Sequence, residues 1–340
     1  MAITGQPGIR QRSYDRMVVG RARSRRSSHL QPAVLAIDFG STKVAAAVVS
    51  REGELLSLEW LDNPPGRSAD ELFEAVLGVC RRALGRVQAD LIAVGVGCSG
   101  PMRYPDGIVS PLNTPVWRDF PLRAQLSEAF GRPAWVDNDA KALALGERWR
   151  GAGHGSNNML GMVVSTGVGG GVILDGKLLH GNAGNAGHIG HIIVWPEGPV
   201  CGCGARGCVE GVASGSGLAR RVAAAHAAGT STSIPPGATA REIATAAREG
   251  DPLALELFRT AGEAVGRGIA SAAALLDLEV VVIGGSIALR AWDLLGPPLE
   301  SELRRSARLA FTREVRIAQA ELADKAGLFG AALLAFEHAD

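Results

Sequence analysis

The chain has 340 residues, 46% hydrophobic and 20% charged, which is ample apolar material for a core and excludes a disordered protein. Its length corresponds to about two domains at roughly 150 residues each, and no run of about 18 apolar residues is present to span a membrane. The first 31 residues carry seven Arg and one acid, whereas the remainder holds 28 basic and 33 acidic residues, a balance that gives the body no electrostatic case for nucleic-acid binding.

Residues 1–31 are rich in Arg, Ser and Gly without apolar periodicity and read as an unfolded tail; the apolar stretch that a signal peptide needs after Arg25 and Arg26 is missing. Apolar runs at 33–38, 43–50 and 55–61 predict three strands, the last two joined by a Gly-containing turn at 51–54. Ser68 caps a helical pattern through Arg86. A strand at 91–97, a helix at 121–130, a strand at 134–136 and a helix at 140–149 follow, which is mixed α/β with helices covering a sheet. Strands at 159–165, 171–174 and 177–179 repeat the opening, with Asp175-Gly176 as a hairpin signal. Helices at 215–228, 239–249 and 251–276, a strand at 279–283, a helix at 286–304, a strand at 314–318 and a helix from Ala326 complete the chain. The halves open alike, which predicts two related α/β domains with a ligand cleft between them.

Three glycine clusters stand at strand ends. Asp38-Phe39-Gly40-Ser41-Thr42-Lys43 lies between the first two strands, where Gly40 admits an anion, Ser41 and Thr42 donate hydrogen bonds, and Asp38 suits water-held Mg²⁺; an ordinary Gly-Ser turn explains the same string. Residues 165–171, with Thr166, Gly167, Gly169 and Gly170, form the matching turn, whose glycines would weaken a sheet unless a phosphate approached closely. Gly284 and Gly285 end a buried strand and open a helix. Together the clusters predict nucleotide binding.

Of five Cys, three fall within eight residues, which fits a reducing compartment and a metal better than a secreted disulfide framework. His191, Cys201, Cys203 and Cys208 have the spacing of a closed, tetrahedral and therefore structural Zn²⁺ site. Asn138 and Asp139 sit where a strand meets a helix. They are either helix caps or a pair that grips sugar hydroxyls, with Asp139 accepting the proton of the attacking hydroxyl.

These motifs, with 186–191 and Cys208-Val209-Glu210, resemble the ROK sugar kinases, a group that also contains sugar-responsive repressors, and the match runs from about Ala33 to the C-terminus. The resemblance implies a two-domain, actin-like (ribonuclease H-like) α/β fold with an interdomain cleft. It implies ATP as donor, Mg²⁺ beside it and a homo-oligomer, dimer or tetramer; the cysteine usage, the charge balance and the lack of a long apolar run predict a cytoplasmic protein that binds neither nucleic acid nor membrane. The corresponding divisions are a tail at 1–31, a small domain at 32–139 on which the helix 326–340 packs back, and a large domain at 140–325 with a zinc loop at 188–210. Carried over, Asp139 is the general base. Asn138, Glu210 and His191 contact sugar hydroxyls, and Gly100 and Asn113 lie in sugar-side loops. Two positions depart: most relatives have Glu at His188 and Asn at Lys141. Neutral imidazole offers one acceptor and one donor where a carboxylate accepts twice, so His188 changes how the C1–C2 end of a sugar is read. The strings 186–191, 198–204, 282–286 and 326–332 are similar to bacterial N-acetylmannosamine kinases, which implies phosphorylation of that sugar at C6. Glucose or N-acetylglucosamine is the close alternative; a repressor, for which the helices that would read DNA are missing, and an inactive sugar-binding module are distant ones.

Overall fold

The computed structural model describes residues 30–40, 43–62, 64, 68–111 and 114–339. Most of the Arg-rich head and the expected ligands Ser41, Thr42 and Asn113 lie outside the described residues. In chain order the strands are β1 (Pro32–Phe39), β2 (Lys43–Ser50), β3 (Leu55–Asp62), β4 (Asp90–Cys98), β5 (Met102–Arg103), β6 (Ile108–Val109), β7 (Ala134–Asn138), β8 (Met159–Val164), β9 (Val168–Leu174), β10 (Lys177–Leu178), β11 (Val280–Gly284) and β12 (Arg316–Gln319). The helices are α1 (Ala69–Leu84), α2 (Leu122–Phe130), α3 (Asp139–Arg150), α4 (Val209–Ala213), α5 (Gly215–Ala227), α6 (Ala240–Arg248), α7 (Pro252–Leu276), α8 (Ser286–Arg290), α9 (Trp292–Ser306), α10 (Ala310–Arg313) and α11 (Ala326–Ala339). None of them is long and apolar enough to cross a membrane.

Two five-stranded sheets share one plan. The first runs β3-β2-β1-β4-β7 and the second β10-β9-β8-β11-β12. In each, an antiparallel meander is extended by two strands parallel to its first member. The parallel strands β1 and β11 are continuous apolar runs because both of their faces are covered. At the Asp175-Gly176 turn both residues have positive φ, 50° and 74°, the geometry that matches strand twist in a two-residue hairpin.

Helices begin where side chains cap them. Ser68 accepts the Glu71 N–H at the start of α1, and Thr239 and Glu242 cap α6 reciprocally. Asp251 caps α7 just before Pro252, whose missing N–H costs nothing at a first helical turn. α1 buries Leu72, Phe73, Val76, Leu77, Val79, Cys80 and Ala83 against one face of the first sheet, and α11 covers the other face. α3 packs on the second sheet through Ala144 and Leu145.

α3 and α11 therefore form a shared layer between the sheets, and they meet at backbone distance. A Cβ on Gly146 would stand 2.1 Å from the Ala326 carbonyl oxygen, and one on Gly330 would stand 1.6 Å from that of Ala142. Small residues at these crossings bring the N-terminal ends of both helices to the strand ends of the first sheet.

Three details differ from the sequence expectation. β9 starts at Val168, so Gly169, Gly170 and Gly171 are inside a strand, paired with Val163, Met162 and Gly161. The compensation for this weak strand is close helix packing: a Cβ on Gly171 would stand 2.6 Å from Lys141 Cα, and one on Gly161 2.5 Å from Ala144 Cβ. The helix expected over 286–304 is broken at Ala291 into α8 and α9, because Arg248 Nη2 donates to the Arg290 carbonyl at 2.9 Å and Leu294 N–H turns to Ala291 instead. The short elements β5, β6, α4 and α10 span too few residues to show a period.

Candidate active site

Register places the candidate acids. Asp38, Gly97 and Asp137 lie side by side across β1, β4 and β7, and Phe39, Cys98 and Asn138 form the next row. These are the carboxyl ends of three parallel strands, where open α/β sheets take ligands. Asp139 follows as the first residue of α3.

Asn138 does cap α3: its Oδ1 accepts the Ala140 N–H at 3.0 Å. Asp139 Oδ1 shares that N–H at 2.8 Å. Burial pushes the Asp139 carboxyl above the usual carboxylate range, against the Ala140 N–H, which favours the charged form. Asp38 is pushed up to about 7, first by burial and then by the negative charge of Asp139, with Lys43 opposing and Asp324 adding to the rise. The Cys98 thiol is raised well above its ordinary range by burial and by the same two carboxylates. Three acidic groups thus share one enclosure that favours a cation. The start of α11 faces it, since a Cβ on Gly327 would stand 2.7 Å from Asp38 Oδ2. Gly100 borders it, with a Cβ there 3.6 Å from Asn138 Nδ2.

The second sheet brings uncharged groups to the same place. The turn Ser165–Thr166–Gly167 joins β8 to β9, and a Cβ on Gly169 would stand 3.0 Å from that of Ala140, beside Asp139. Ser165 Oγ lies 2.8 Å from Ser286 Oγ, so the second and third glycine clusters meet. The start of α5 joins them: Gly215 N–H donates to Ser165 O at 2.8 Å and Ser216 N–H to Thr166 O at 3.2 Å. Gly285, with φ of 97°, stands before α8. Gly40 closes the first cluster by donating to Lys43 O at 2.9 Å, while Lys43 turns its ammonium to Asp324 at 3.4 Å and over Trp60.

The metal-spaced side chains converge. One ligand atom from each of His191, Cys201, Cys203 and Cys208 lies within 4.8 Å of every other. Cys203 and Cys208 sulfurs are 3.8 Å apart, and Cys201 Sγ is 4.0 Å from His191 Nδ1. A tetrahedron with metal–sulfur bonds of about 2.3 Å has edges of roughly 3.8 Å, so the donor set fits one Zn²⁺ ion. Cys208 precedes α4, which carries Glu210. Glu210 Oε2 accepts the Val168 N–H at 3.0 Å, and its Oε1 lies 3.8 Å from Cys201 Sγ, joining the cluster to the glycine turn. His188 stands near the cluster, its ring 6.0 Å from that of His191. Partial burial, then His191, holds His188 below the usual imidazole value, so it is neutral at pH 7. The segment carrying it is seated on β9 because Gly170 and Gly187 touch backbone to backbone.

The family model of the ROK family matches residues 34–338. The chain belongs to the ROK family. Relatives of this ROK protein include a glucokinase of Streptomyces coelicolor, 35% identical over 317 residues, covering 89% of the chain and 97% of the relative. An N-acetylmannosamine kinase of Escherichia coli O9:H4 is 38% identical over 304 residues, covering 88% and 97%. A ROK family glucokinase from Streptomyces griseus, solved with glucose and AMPPNP, superposes with a TM-score of 0.74 at 34% identity, covering 90% of this chain and 99% of that one. The chain therefore has the fold of ROK sugar kinases, and its likeness to glucokinases and to N-acetylmannosamine kinases is similar in degree.

Some ties at this ROK site had no readable sequence signal. Glu147, fully buried in α3, accepts N–H groups from Ala152 at 2.9 Å, Leu322 at 2.9 Å and Glu321 at 3.2 Å, fixing the lead into α11. A Glu three residues before the end of a helix ordinarily reads as solvated. Tyr104 and His180, which meet across the molecule, likewise stand in unremarkable strings.

Proposed function

We propose that this ROK protein is an ATP-dependent sugar kinase that phosphorylates the C6 hydroxyl of an amino sugar or hexose, with N-acetylmannosamine as the favoured acceptor. The observation that carries the reading is Asp139. Its carboxylate stands at the strand-end row, held by the helix start through Oδ1, beside the glycine turn of the second sheet. In this reading Asp139 takes the proton of the sugar hydroxyl, assistance worth about 10²–10⁴-fold. Asn138, with its amide nitrogen directed to Gly100, and Glu210, His188 and His191 hold the other hydroxyls. Thr166, Gly167, Gly169, Gly170, Gly284 and Gly285 line the nucleotide side with Asp38, Gly40 and Lys43.

The raised Asp38 carboxyl fits a water-held Mg²⁺, which supplies charge neutralisation for the phosphates. Loose phosphoryl-transfer transition states need positioning more than covalent chemistry, and two sheets closing on a shared helical layer supply it. Zn²⁺ held by His191, Cys201, Cys203 and Cys208 is structural, since four protein ligands leave no open position. It fixes the loop from His188 to Glu210.

The acceptor rests on His188. A neutral imidazole at the C1–C2 end presents a donor as well as an acceptor. Glucose is the second reading, favoured by the likeness to the two Streptomyces glucokinases. A coupled ATP-consumption assay over N-acetylmannosamine, N-acetylglucosamine, glucose and mannose ranks them by kcat/KM. N-acetylmannosamine first supports the favoured acceptor; glucose first replaces it.

A further inference from the structure

Behind Asp139 lies a second charged cluster that the transfer step does not use. Lys141 and Asp137 side chains are each 1% exposed, an unusual place for an ammonium and a carboxylate. Lys141 Nζ donates to the Gly184 carbonyl at 2.6 Å and stands 3.3 Å from Asp137 Oδ1, which also accepts the Asn138 N–H at 2.7 Å. Asp137 Oδ2 lies 3.0 Å from His180 Nδ1, yet neither atom completes an aligned hydrogen bond. The His180 ring stacks on Tyr104 with centroids 4.3 Å apart, and Tyr104 Oη is 3.4 Å from His180 Nε2. A Cβ on Gly184 would stand 2.3 Å from Tyr104 Cβ, so the segment carrying Gly184 lies directly on that ring.

The parts joined are far apart in the chain. Asp137 is the penultimate residue of β7 in the first sheet, Lys141 is in the first turn of α3, and Tyr104 is in the turn between β5 and β6. His180 and Gly184 belong to the segment between β10 and the 3₁₀ turn Ile189–His191, which continues into His188. A buried ammonium must be paired, and here its partners are one carboxylate and one carbonyl from opposite sides of the site. The charge therefore acts as a fastener between the strand-end row and the sugar-side segment.

We propose that Lys141 is a positioning residue: with Asp137, and supported by the His180–Tyr104 stack, it latches the 180–188 segment to β7 and α3 and so holds His188 and Asn138 at a common spacing around the sugar. This rests on the kinase reading above. The latch lies on the sugar side, so sugar recognition depends on it and nucleotide binding does not. Its open contact, Asp137 Oδ2 to His180 Nδ1, is a hydrogen bond that sugar binding can complete, as site hydrogen bonds often align only in the bound complex.

The test varies sugar and ATP separately in steady-state kinetics of the full chain. Lys141→Met is expected to raise the sugar KM at least about tenfold, the factor equivalent to losing one good hydrogen bond to a charged group, and to leave the ATP KM within about twofold. Because that variant leaves Asp137 buried and unpaired, Asp137→Asn combined with Lys141→Met is made alongside. The double variant should recover melting temperature while the sugar KM stays high. Recovery of both together would mean a merely structural pair and would overturn the proposal, as would an unchanged sugar KM or equal rises in both KM values. His180→Gln should raise the sugar KM several-fold at unchanged melting temperature; no rise counts against the latch. Should wild-type protein phosphorylate no sugar, the kinase reading fails separately. Amide exchange of residues 180–188 then still reads the latch: faster exchange in the double variant than in wild type supports it, and equal exchange contradicts it.

Discussion

The first sheet carries charge near the ends of its parallel strands, at Asp38 and Asp137 and, just past β7, at Asp139. The second, with the same strand order, ends its matching strands at Ser165 and Gly284, and offers hydroxyls and main-chain groups. One topology thus carries two half-sites; in the proposed reading the first takes a proton and suits a cation, and the second lets an anion approach backbone. Neither half suffices for phosphoryl transfer. The comparison also shows where the halves are joined: α3 starts at the acids of the first sheet and packs on the glycines of the second.

The largest effect expected from breaking the charged half is at Asp139. Asp139→Asn should lower kcat by about 10²–10⁴-fold while ATP binding, read by calorimetry, stays intact. An active Asn variant would remove the base from its role. The His191–Cys201–Cys203–Cys208 cluster comes next. Purified protein should contain about one zinc per chain, and chelation or Cys203→Ser should lower melting temperature and sugar affinity and spare ATP affinity. A zinc-free preparation of full activity would contradict the structural role. At the shared layer, Gly330→Ala drives a methyl into the Ala142 carbonyl and should cost about 1–3 kcal/mol in urea unfolding, with little change in m-value.

The smallest effect concerns pH. The folded protein raises Asp38 from 3.8 to about 7, so this group's stabilising contribution is full below 3.8 and is lost as pH rises through about 7. Asp38→Asn should therefore raise melting temperature more at about pH 8 than at about pH 5; the reverse order would mean the carboxylate is welcomed by its surroundings. Asp139, raised for a similar reason, should bring the acid limb of kcat/KM above the ordinary carboxylate range, because the base works only when deprotonated.

Much of the first half-site, and of the metal-spaced cluster, was legible in sequence because each depends on local chemistry. The short strand at 134–136, the helix at 140–149 with Asn138 and Asp139 at their junction, and the spacing of His191, Cys201, Cys203 and Cys208 can all be read without knowing the fold. The second half-site was legible as glycine and misread in part. Gly169 and Gly171 looked like turn residues, whereas they are strand residues that also let α3 approach. Proximity to a ligand and proximity to a helix leave the same mark in a sequence. Least legible were Lys141, His180 and Tyr104. Their partners come from segments tens of residues away, and nothing in a string of residues marks which ammonium will be buried.

The most direct measurement is of the product. Protein, Mg·ATP and each of the four sugars are incubated, and ADP and sugar phosphate are quantified together. The account predicts sugar 6-phosphate formed one for one with ADP for at least one of them. ATP consumed without sugar phosphate, phosphate placed at another hydroxyl, or no turnover with any of the four would contradict it.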